Sequence, residues 1–272
     1  MPNAGFPVSF LFTAMDDTPP FEIDRKDVID GLGKGLRVIE AFDDDHVRMT
    51  ASEMGVRAGI TRTAARRYLL SLVHFGFMAT DGKYFWLTPR VLRLGQSYLN
   101  ASRLPRLVQP FIQRVSMQCG ETVNVSVLDG HEVIYVARSN SPRLVSIGHH
   151  VGARAPAHVV TPGTAMLSTW SDEALKAWAA VHEFSSYTGQ TVTDPQRFLE
   201  NCRTARALGY WITERQLDMN LVGIAVPLLN RKGECKAAMS CTVQAVTHTT
   251  EDLAVRLLPL LREAALGLAP LI

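Results

Sequence analysis

Arg62, Arg66 and Arg67 are the side chains whose type and spacing most narrowly define a chemistry in this chain. A guanidinium is permanently charged and carries its donors in a flat fork, which matches phosphate oxygens and the acceptor edge of guanine. On a helix these three fall away from Ala65, Leu69, Leu72 and Val73, while Thr61, Thr63 and Ser71 add short hydroxyl donors around them. Between residues 60 and 93 the basic side chains Arg62, Arg66, Arg67, Lys83, Arg90 and Arg93 stand against one acid, Asp81, although the whole chain carries a net charge of only +2. The case for a polyanionic partner therefore rests on local concentration and not on bulk charge. A solvated arginine face on a plain helical bundle would show the same residues, so the surroundings decide.

Those surroundings are a succession of capped helices and a hairpin. Val28, Leu32, Leu36, Ile39 and Phe42 recur at helical spacing over residues 28–42. Thr50-Ala51-Ser52-Glu53 reads as a capping box opening a second helix, Gly59 ends it, Thr61 caps a third, and Gly76 stops that one. Residues 77–79 and 84–88 are β-prone runs about Asp81-Gly82, a two-residue hairpin signal that places Lys83 at the tip. Helix, capped helix, turn, basic helix and hairpin, in that order, predict a winged helix-turn-helix whose third helix enters the major groove of double-stranded operator DNA. The expected contacts are Thr50, Ser52, Thr61, Arg62, Thr63, Arg66, Arg67, Ser71 and Lys83. Strand alternation assigns Phe85 and its neighbours Tyr84 and Trp86 to packing before base stacking.

Residues 90–119 are again helical in pattern and are interrupted at Pro105, as a linker helix followed by a leading helix would be. After Gly120 the period changes: Val123, Val125 and Val127 alternate with Asn124 and Ser126, Asp129-Gly130 turns the chain, and a strand returns over 133–136. A second hairpin is expected over 222–229 and 236–243, helices over 171–182 and 194–208 between the two, and a last helix over 250–268. This order predicts an α+β fold with a tail at 1–25, a winged helix-turn-helix at 26–88, linker helices at 89–117 and an antiparallel-sheet domain at 118–272. The apolar stretch 6–15 lacks the basic residues of a signal peptide, and no run approaches the roughly 18 apolar residues of a membrane helix, so a cytoplasmic protein with no membrane partner is expected. The four cysteines show no pairing or finger spacing, and His149-His150 alone makes a poor site, so neither metal nor cofactor is expected.

A pocket for a small molecule needs apolar walls and a few fixed polar groups. The segment after the first hairpin offers Leu144 and Ile147 as walls and Arg138, Arg154, His158 and Thr161 as polar groups. The helix start Thr161-Pro162-Gly163 could hold a carboxylate, and His158 fits a structural role as well as it fits a ligand contact. The chain has no Gly-x-Ser-x-Gly elbow, no phosphate loop and no paired metal-binding histidines. An α+β enzyme with a helical appendage is thus a distant alternative, and an interaction module without affinity for DNA is another.

The segments Gly33-Lys34-Gly35-Leu36-Arg37-Val38-Ile39-Glu40-Ala41-Phe42 and Ile60-Thr61-Arg62-Thr63-Ala64-Ala65-Arg66-Arg67-Tyr68-Leu69 resemble the IclR-type regulators, and within them the PobR, PcaR and PcaU group. So do Tyr84-Phe85-Trp86-Leu87-Thr88, Ala137-Arg138-Ser139, Pro156-Ala157-His158 and Ile224-Ala225-Val226-Pro227. The resemblance implies a winged helix joined by a linker helix to a GAF-like effector-binding domain, assembled as a homodimer or a dimer of dimers. It implies control of genes for breakdown of p-hydroxybenzoate, protocatechuate or related β-ketoadipate pathway compounds, with a small aromatic carboxylate as effector and RNA polymerase as partner if the protein activates. A regulator of the same type answering to a different small organic acid is the alternative. By analogy with the family's pockets, Thr161, Pro162, Gly163, Glu214, Leu221, Gly223, Ser240 and Thr242 line the cavity. Where the family commonly reads Asp-x-Glu-x-Glu-x-Gly, this chain reads Glu214-Arg215-Gln216-Leu217-Asp218-Met219-Asn220, which alters the charge and depth expected there.

Overall fold

Helical and alternating apolar patterns each build a core of their own in the computed structural model, which describes residues 23–139 and 149–272. The chain divides into two compact units, one ending at Ala101 and one beginning at Ser102. Residues 1–22 of the expected tail lie outside the described residues, and Asp24 caps a short 3-10 turn at Arg25–Asp27.

The first unit runs α1 (Asp30–Glu40), α2 (Ala51–Arg57), α3 (Arg62–His74), β1 (Met78–Thr80), β2 (Phe85–Leu87) and, after a 3-10 turn at Pro89–Val91, α4 (Leu92–Ala101). Val38, Met49, Met54, Ala65, Leu69, Met78 and Phe85 form its core. The capping box on α2 is formed in full, with the Glu53 carboxylate accepting from Thr50 N at 2.7 Å. Gly59 takes a positive φ of 65°, the turn that separates α2 from α3, and Thr61 Oγ1 accepts from Ala64 N at 3.2 Å. Two features differ from the pattern reading. Thr80 pairs with Phe85, so the hairpin turn has four residues and not two; the Asp81 carboxylate holds it by accepting from Lys83 N at 3.0 Å and Tyr84 N at 2.8 Å. The apolar stripe of α1 is only partly spent on this core: Ile39 and Phe42 pack against it beside the buried Val38, whereas Leu32 is 65% and Leu36 45% exposed.

The second unit opens with α5 (Leu104–Cys119), which carries Pro105 in its first turn and is ended by Gly120 at φ 74°. Then follow β3 (Val123–Asp129), β4 (Glu132–Arg138), β5 (Arg154–Pro156), α6 (Thr161–Leu167), α7 (Asp172–Val181), α8 (Pro195–Leu208), β6 (Trp211–Glu214), β7 (Leu221–Leu229), β8 (Cys235–Gln244), α9 (Thr250–Arg256) and α10 (Leu258–Leu268). The two expected hairpins pair with each other through β3 and β8, giving one antiparallel sheet in the order β5-β4-β3-β8-β7-β6. The edge strands β5 and β6 were not read from the sequence. The expected last helix is two, because Pro259 has no N–H to continue an earlier turn and instead opens α10.

Alternation along the strands gives the sheet two unlike faces. Val123, Val125, Val222, Ile224, Val226, Met239 and Val243 pack against α5, α9 and α10. The other face, under α6, α7 and α8, carries small and polar residues at its centre: Gly223 and Ala225 on β7, Ala238, Ser240 and Thr242 on β8, Asn124 and Ser126 on β3. Small residues let α6 lie close. A Cβ on Gly223 would stand 2.5 Å from Thr161 Oγ1, and one on Gly163 would stand 2.0 Å from the Ala157 carbonyl oxygen. Neither approach tolerates a side chain without displacing α6.

Candidate functional sites

On the first unit, burial of Ala65 and Leu69 turns the opposite side of α3 outward, and Arg62, Arg66 and Arg67 are all exposed there. Among the described residues none of the three guanidinium groups is paired with a carboxylate. Thr61, Thr63, Ser52 and Lys83 are exposed as well, with Lys83 at the hairpin tip, its Nζ 5.0 Å from the Tyr84 ring. Two expected contacts are engaged within the protein: Thr50 Oγ1 donates to Glu53 at 2.8 Å, and Ser71 Oγ donates to the Arg67 carbonyl at 2.8 Å. Arg48, which sequence reasoning missed, lies 4.0 Å above the Trp86 ring and 3.5 Å from Asp81, and so adds a cation beside the hairpin. A hollow of about 510 Å³ between Phe42, Asp43, Asp44, Val47, Arg48, Trp86 and Leu87 is open to solvent and edged by acids, which disfavours it for an organic anion.

On the second unit, a smaller cavity of about 40 Å³ lies between the polar sheet face and the start of α6. Of the expected residues, Thr161, Pro162, Leu221, Gly223 and Thr242 line it. Tyr135, His149, Val159, Val160, Thr213, Arg215, Gln216, Leu217, Asp218 and Val222 line it too; none was assigned to the pocket individually from the sequence, although Arg215, Gln216, Leu217 and Asp218 fall in the segment that departs from the family pattern. Gly163 packs on Ala157 and Ser240 lies buried in the sheet face, both off the lining. Leu144 and Ile147 lie outside the described residues.

The expected polar groups divide by what they already bond. Arg154 is exposed on β5 and donates to Asp129 and Glu132 at 2.7 Å each, so its charge is answered by two carboxylates. Glu214 is exposed at the end of β6 and stands 3.6 Å from Arg215. Arg138 donates to the His149 carbonyl at 2.5 Å, and thereby fixes a residue of the lining without joining it. At the helix start Pro162 has no N–H, and Gly163 N already donates to the Val160 carbonyl at 3.0 Å. The seven-residue α6 is therefore a poor anchor for a carboxylate.

Three side chains of the lining bear on an anion, and one of them, Asp218, is an acid that opposes it, its Oδ1 already accepting from Asn220 N at 2.8 Å. His149 stacks on Tyr135 with ring centroids 4.5 Å apart, and burial, then His150 and Arg138, push its pKa down, so it is neutral at physiological pH. Arg215 is the lasting cation among the described lining residues. Its backbone sits at φ 54°, a left-handed conformation unusual without glycine, and is held there by Arg215 N donating to the Leu221 carbonyl at 2.8 Å. Thr188 Oγ1 donates to the Arg215 carbonyl and Thr191 Oγ1 to the Gln216 carbonyl, each at 2.6 Å, and these bonds set the rim.

His158 belongs to a different cluster. Its Nε2 donates to the Ser185 carbonyl at 3.0 Å, which leaves Nδ1 to accept from His182 Nε2 at 2.7 Å, and His182 Nδ1 in turn accepts from His131 Nδ1 at 3.0 Å. Trp178 stacks on His182 with centroids 4.2 Å apart. His158 is spent on packing and hydrogen bonding, away from the cavity.

A winged helix with an unpaired arginine face, joined in one chain to an antiparallel-sheet domain that encloses a small cavity, defines a DNA-binding regulator. Residues 31–82 match the IclR helix-turn-helix domain, and residues 96–269 match the bacterial transcriptional regulator IclR C-terminal domain. The chain is 40% identical over 249 residues to the p-hydroxybenzoate hydroxylase transcriptional activator of Acinetobacter baylyi, covering 90% of this chain and 92% of that one. Its fold matches an IclR homologue from Microbacterium hydrocarbonoxydans crystallised with 4-hydroxybenzoate, at a TM-score of 0.69 and 27% identity over 88% of this chain and 97% of that one. It also matches a double mutant of the inducer-binding domain of PobR from Acinetobacter, in complex with 3-hydroxybenzoic acid, at a TM-score of 0.60 and 34% identity, covering 63% of this chain and 100% of that one. The chain belongs to the IclR family of bacterial transcriptional regulators. No helix among the described residues is long and apolar enough to cross a membrane.

The histidine cluster makes a pH prediction. Burial, then His158 and His131, lower the His182 pKa from 6.5 to about 3, so the folded state holds it neutral while an unfolded chain takes up a proton near 6.5. The stability it contributes is complete above pH 6.5 and is lost as pH falls toward 3. Allowing for partial exposure of the ring, unfolding in denaturant at pH 5 should cost roughly 1 kcal/mol less than at pH 7.5. H182F should flatten that difference, and an equal pH dependence in the variant would exclude this source.

Proposed function

We propose that the protein binds operator DNA through Arg62, Arg66 and Arg67 of α3, supported by Thr61, Thr63, Ser52 and the hairpin Lys83, and regulates genes for aromatic-acid catabolism in response to a small aromatic acid held in the second unit. The observation that carries the DNA reading is the exposed, carboxylate-free arginine face. Ser71 and Thr50 support the helices from within, because their hydroxyl protons are already donated. R66A and R67A should each weaken operator binding by about 1–3 kcal/mol where the side chain meets a base, and otherwise reduce the dependence of affinity on salt. Fluorescence anisotropy with an operator selected from genomic fragments reads both; unchanged affinity and salt slope in the double variant would remove this surface.

A winged helix that reads a two-fold operator works as a pair, and the apolar residues left uncovered on the first unit support a homodimer. Ile29 and Leu32 of the α1 region are 75% and 65% exposed, and Leu92 of α4 is 75% exposed. A second copy of the chain is the occupant that a symmetric operator requires. Sedimentation equilibrium should find a dimer for the native chain and a shift toward monomer for L32D with L92D; a native monomer at operator-binding concentrations would end this reading.

The effector reading rests on Arg215, the cation of a lining that is mostly apolar and hydroxyl-bearing and also carries His149, Gln216 and one acid, Asp218, whose carboxylate accepts from Asn220. Relatives crystallised with hydroxybenzoates support the aromatic-acid class. At about 40 Å³ the cavity is far below the roughly 300 Å³ common for ligand sites, so binding entails outward movement of lining side chains. In calorimetric titration of the whole chain, 4-hydroxybenzoate should bind, and R215Q should weaken it by about 1.5–3 kcal/mol, the worth of a charge-assisted hydrogen bond. No heat from any of a panel of aromatic acids would reopen the effector class.

A further inference from the structure

Among the described residues, four buried polar atoms on the sheet face under α6 have no hydrogen-bond partner. Asn124 is 1% exposed with neither Nδ2 nor Oδ1 bonded, and the hydroxyls of Ser126, 0% exposed, and Ser240, 1% exposed, are in the same condition. They are neighbours in the sheet. Asn124 stands directly opposite Ser240 across β3 and β8, and Ser126 stands opposite Tyr135 across β3 and β4. Tyr135 lines the cavity, and so does Thr242, two residues from Ser240 on the same face. The three side chains thus lie on the same sheet face as the cavity, off its lining but next to Tyr135 and Thr242, which belong to it.

Each buried polar atom without a partner costs free energy that alanine or valine at the same place would avoid. Ala225 and Ala238 occupy adjoining positions on this face, so apolar residues fit there. Both atoms of the Asn124 amide are unbonded, so the group is unsatisfied whichever way the amide is turned.

We propose that Asn124, with Ser126 and Ser240, reads a ring hydroxyl of the effector, whose carboxylate stays toward Arg215; the effector class is a hydroxylated aromatic acid. The assignment rests on the cavity being the effector site. An amide offers one acceptor and a pair of donors, and a phenolic hydroxyl supplies the complement, accepting from Nδ2 and donating to Oδ1. A carboxylate could use only the donors and would set its charge against Oδ1. Arg138, opposite Asn124 across β3 and β4, has its guanidinium engaged with the His149 carbonyl.

The test compares 4-hydroxybenzoate with benzoate, which differ by the one O–H, in calorimetric titration of the whole chain. The native protein should bind 4-hydroxybenzoate roughly tenfold or more tightly than benzoate, because benzoate leaves the amide unpaired. N124L should bring the two affinities within about threefold, chiefly by weakening 4-hydroxybenzoate, and should raise the ligand-free melting temperature by removing orphaned atoms. S240A and S126A, which change less volume, should each narrow the ratio in part and serve where N124L fails to fold. An unchanged ratio in all the variants, as for groups bridged by resident water, overturns the proposal, and so does an equal loss for both acids. Failure of the native chain to bind either acid would instead count against the effector site itself.

Discussion

The contact between α6 and the sheet sets what the second unit can do. Gly163 leaves no room for a side chain against the Ala157 carbonyl, and Gly223 leaves none beneath Thr161. With both positions reduced to backbone, the helix lies almost on the strands, and the space remaining is confined to its N-terminal edge. Bulk on either glycine would lift α6 off the strands, and bulk on Ala225 or Ala238 would overpack the core beside it.

The first unit depends on a comparable economy. Gly55 is buried where a Cβ would stand 3.0 Å from the Ile60 carbonyl, so α2 and the start of α3 meet backbone to backbone. Met54, Ala65 and Leu69 complete that seam. Once the apolar side of α3 is committed to it, the arginines have nowhere to go but outward. Their exposure is a consequence of packing on the other side of the helix, and a rigid seam is what lets long side chains be presented at fixed spacing.

How much of this could be read from the sequence depended on range. The capping box on α2, the Thr61 cap, the glycine stops and the hairpin strands are local, each decided by residues within a few positions of one another, and they appear where the pattern places them. The turn at Asp81 departed from a two-residue hairpin because its carboxylate competes for two backbone N–H groups, a choice that the Asp-Gly signal alone does not settle. The cavity is assembled from β4, α6, the loop after β6, β7 and β8, and no local periodicity states that β3 and β8 pair. Thr161, Gly223 and Thr242 were reachable through family resemblance. Arg215 stands out in the sequence only as part of a departure from the family pattern, and its left-handed backbone gives no signal in a residue type that rarely adopts it. His158 and Arg154 had the right chemistry in isolation and lost it to partners distant in sequence, Ser185 and His182 for one, Asp129 and Glu132 for the other.

A ligand changes DNA affinity only if it binds two states of the protein unequally, so the useful question is which element feels both the cavity and the rest of the chain. Strand β3 does. Asn124 and Ser126 face the cavity side, while Val123 and Val125, their immediate neighbours, lie in the cluster with Val108, Ile112 and Val115 of α5. Side chains of a strand cannot move independently of the backbone that alternates between its faces. Expansion of a cavity this small therefore bears on the α5 side of the sheet, and α5 begins three residues after α4 ends the first unit. Packed interiors respond to such displacements by switching between discrete arrangements more readily than by yielding continuously. Smallness, which looks like an obstacle to an aromatic effector, is on this argument what gives the effector leverage: a cavity already large enough would admit the ligand without favouring one arrangement over another.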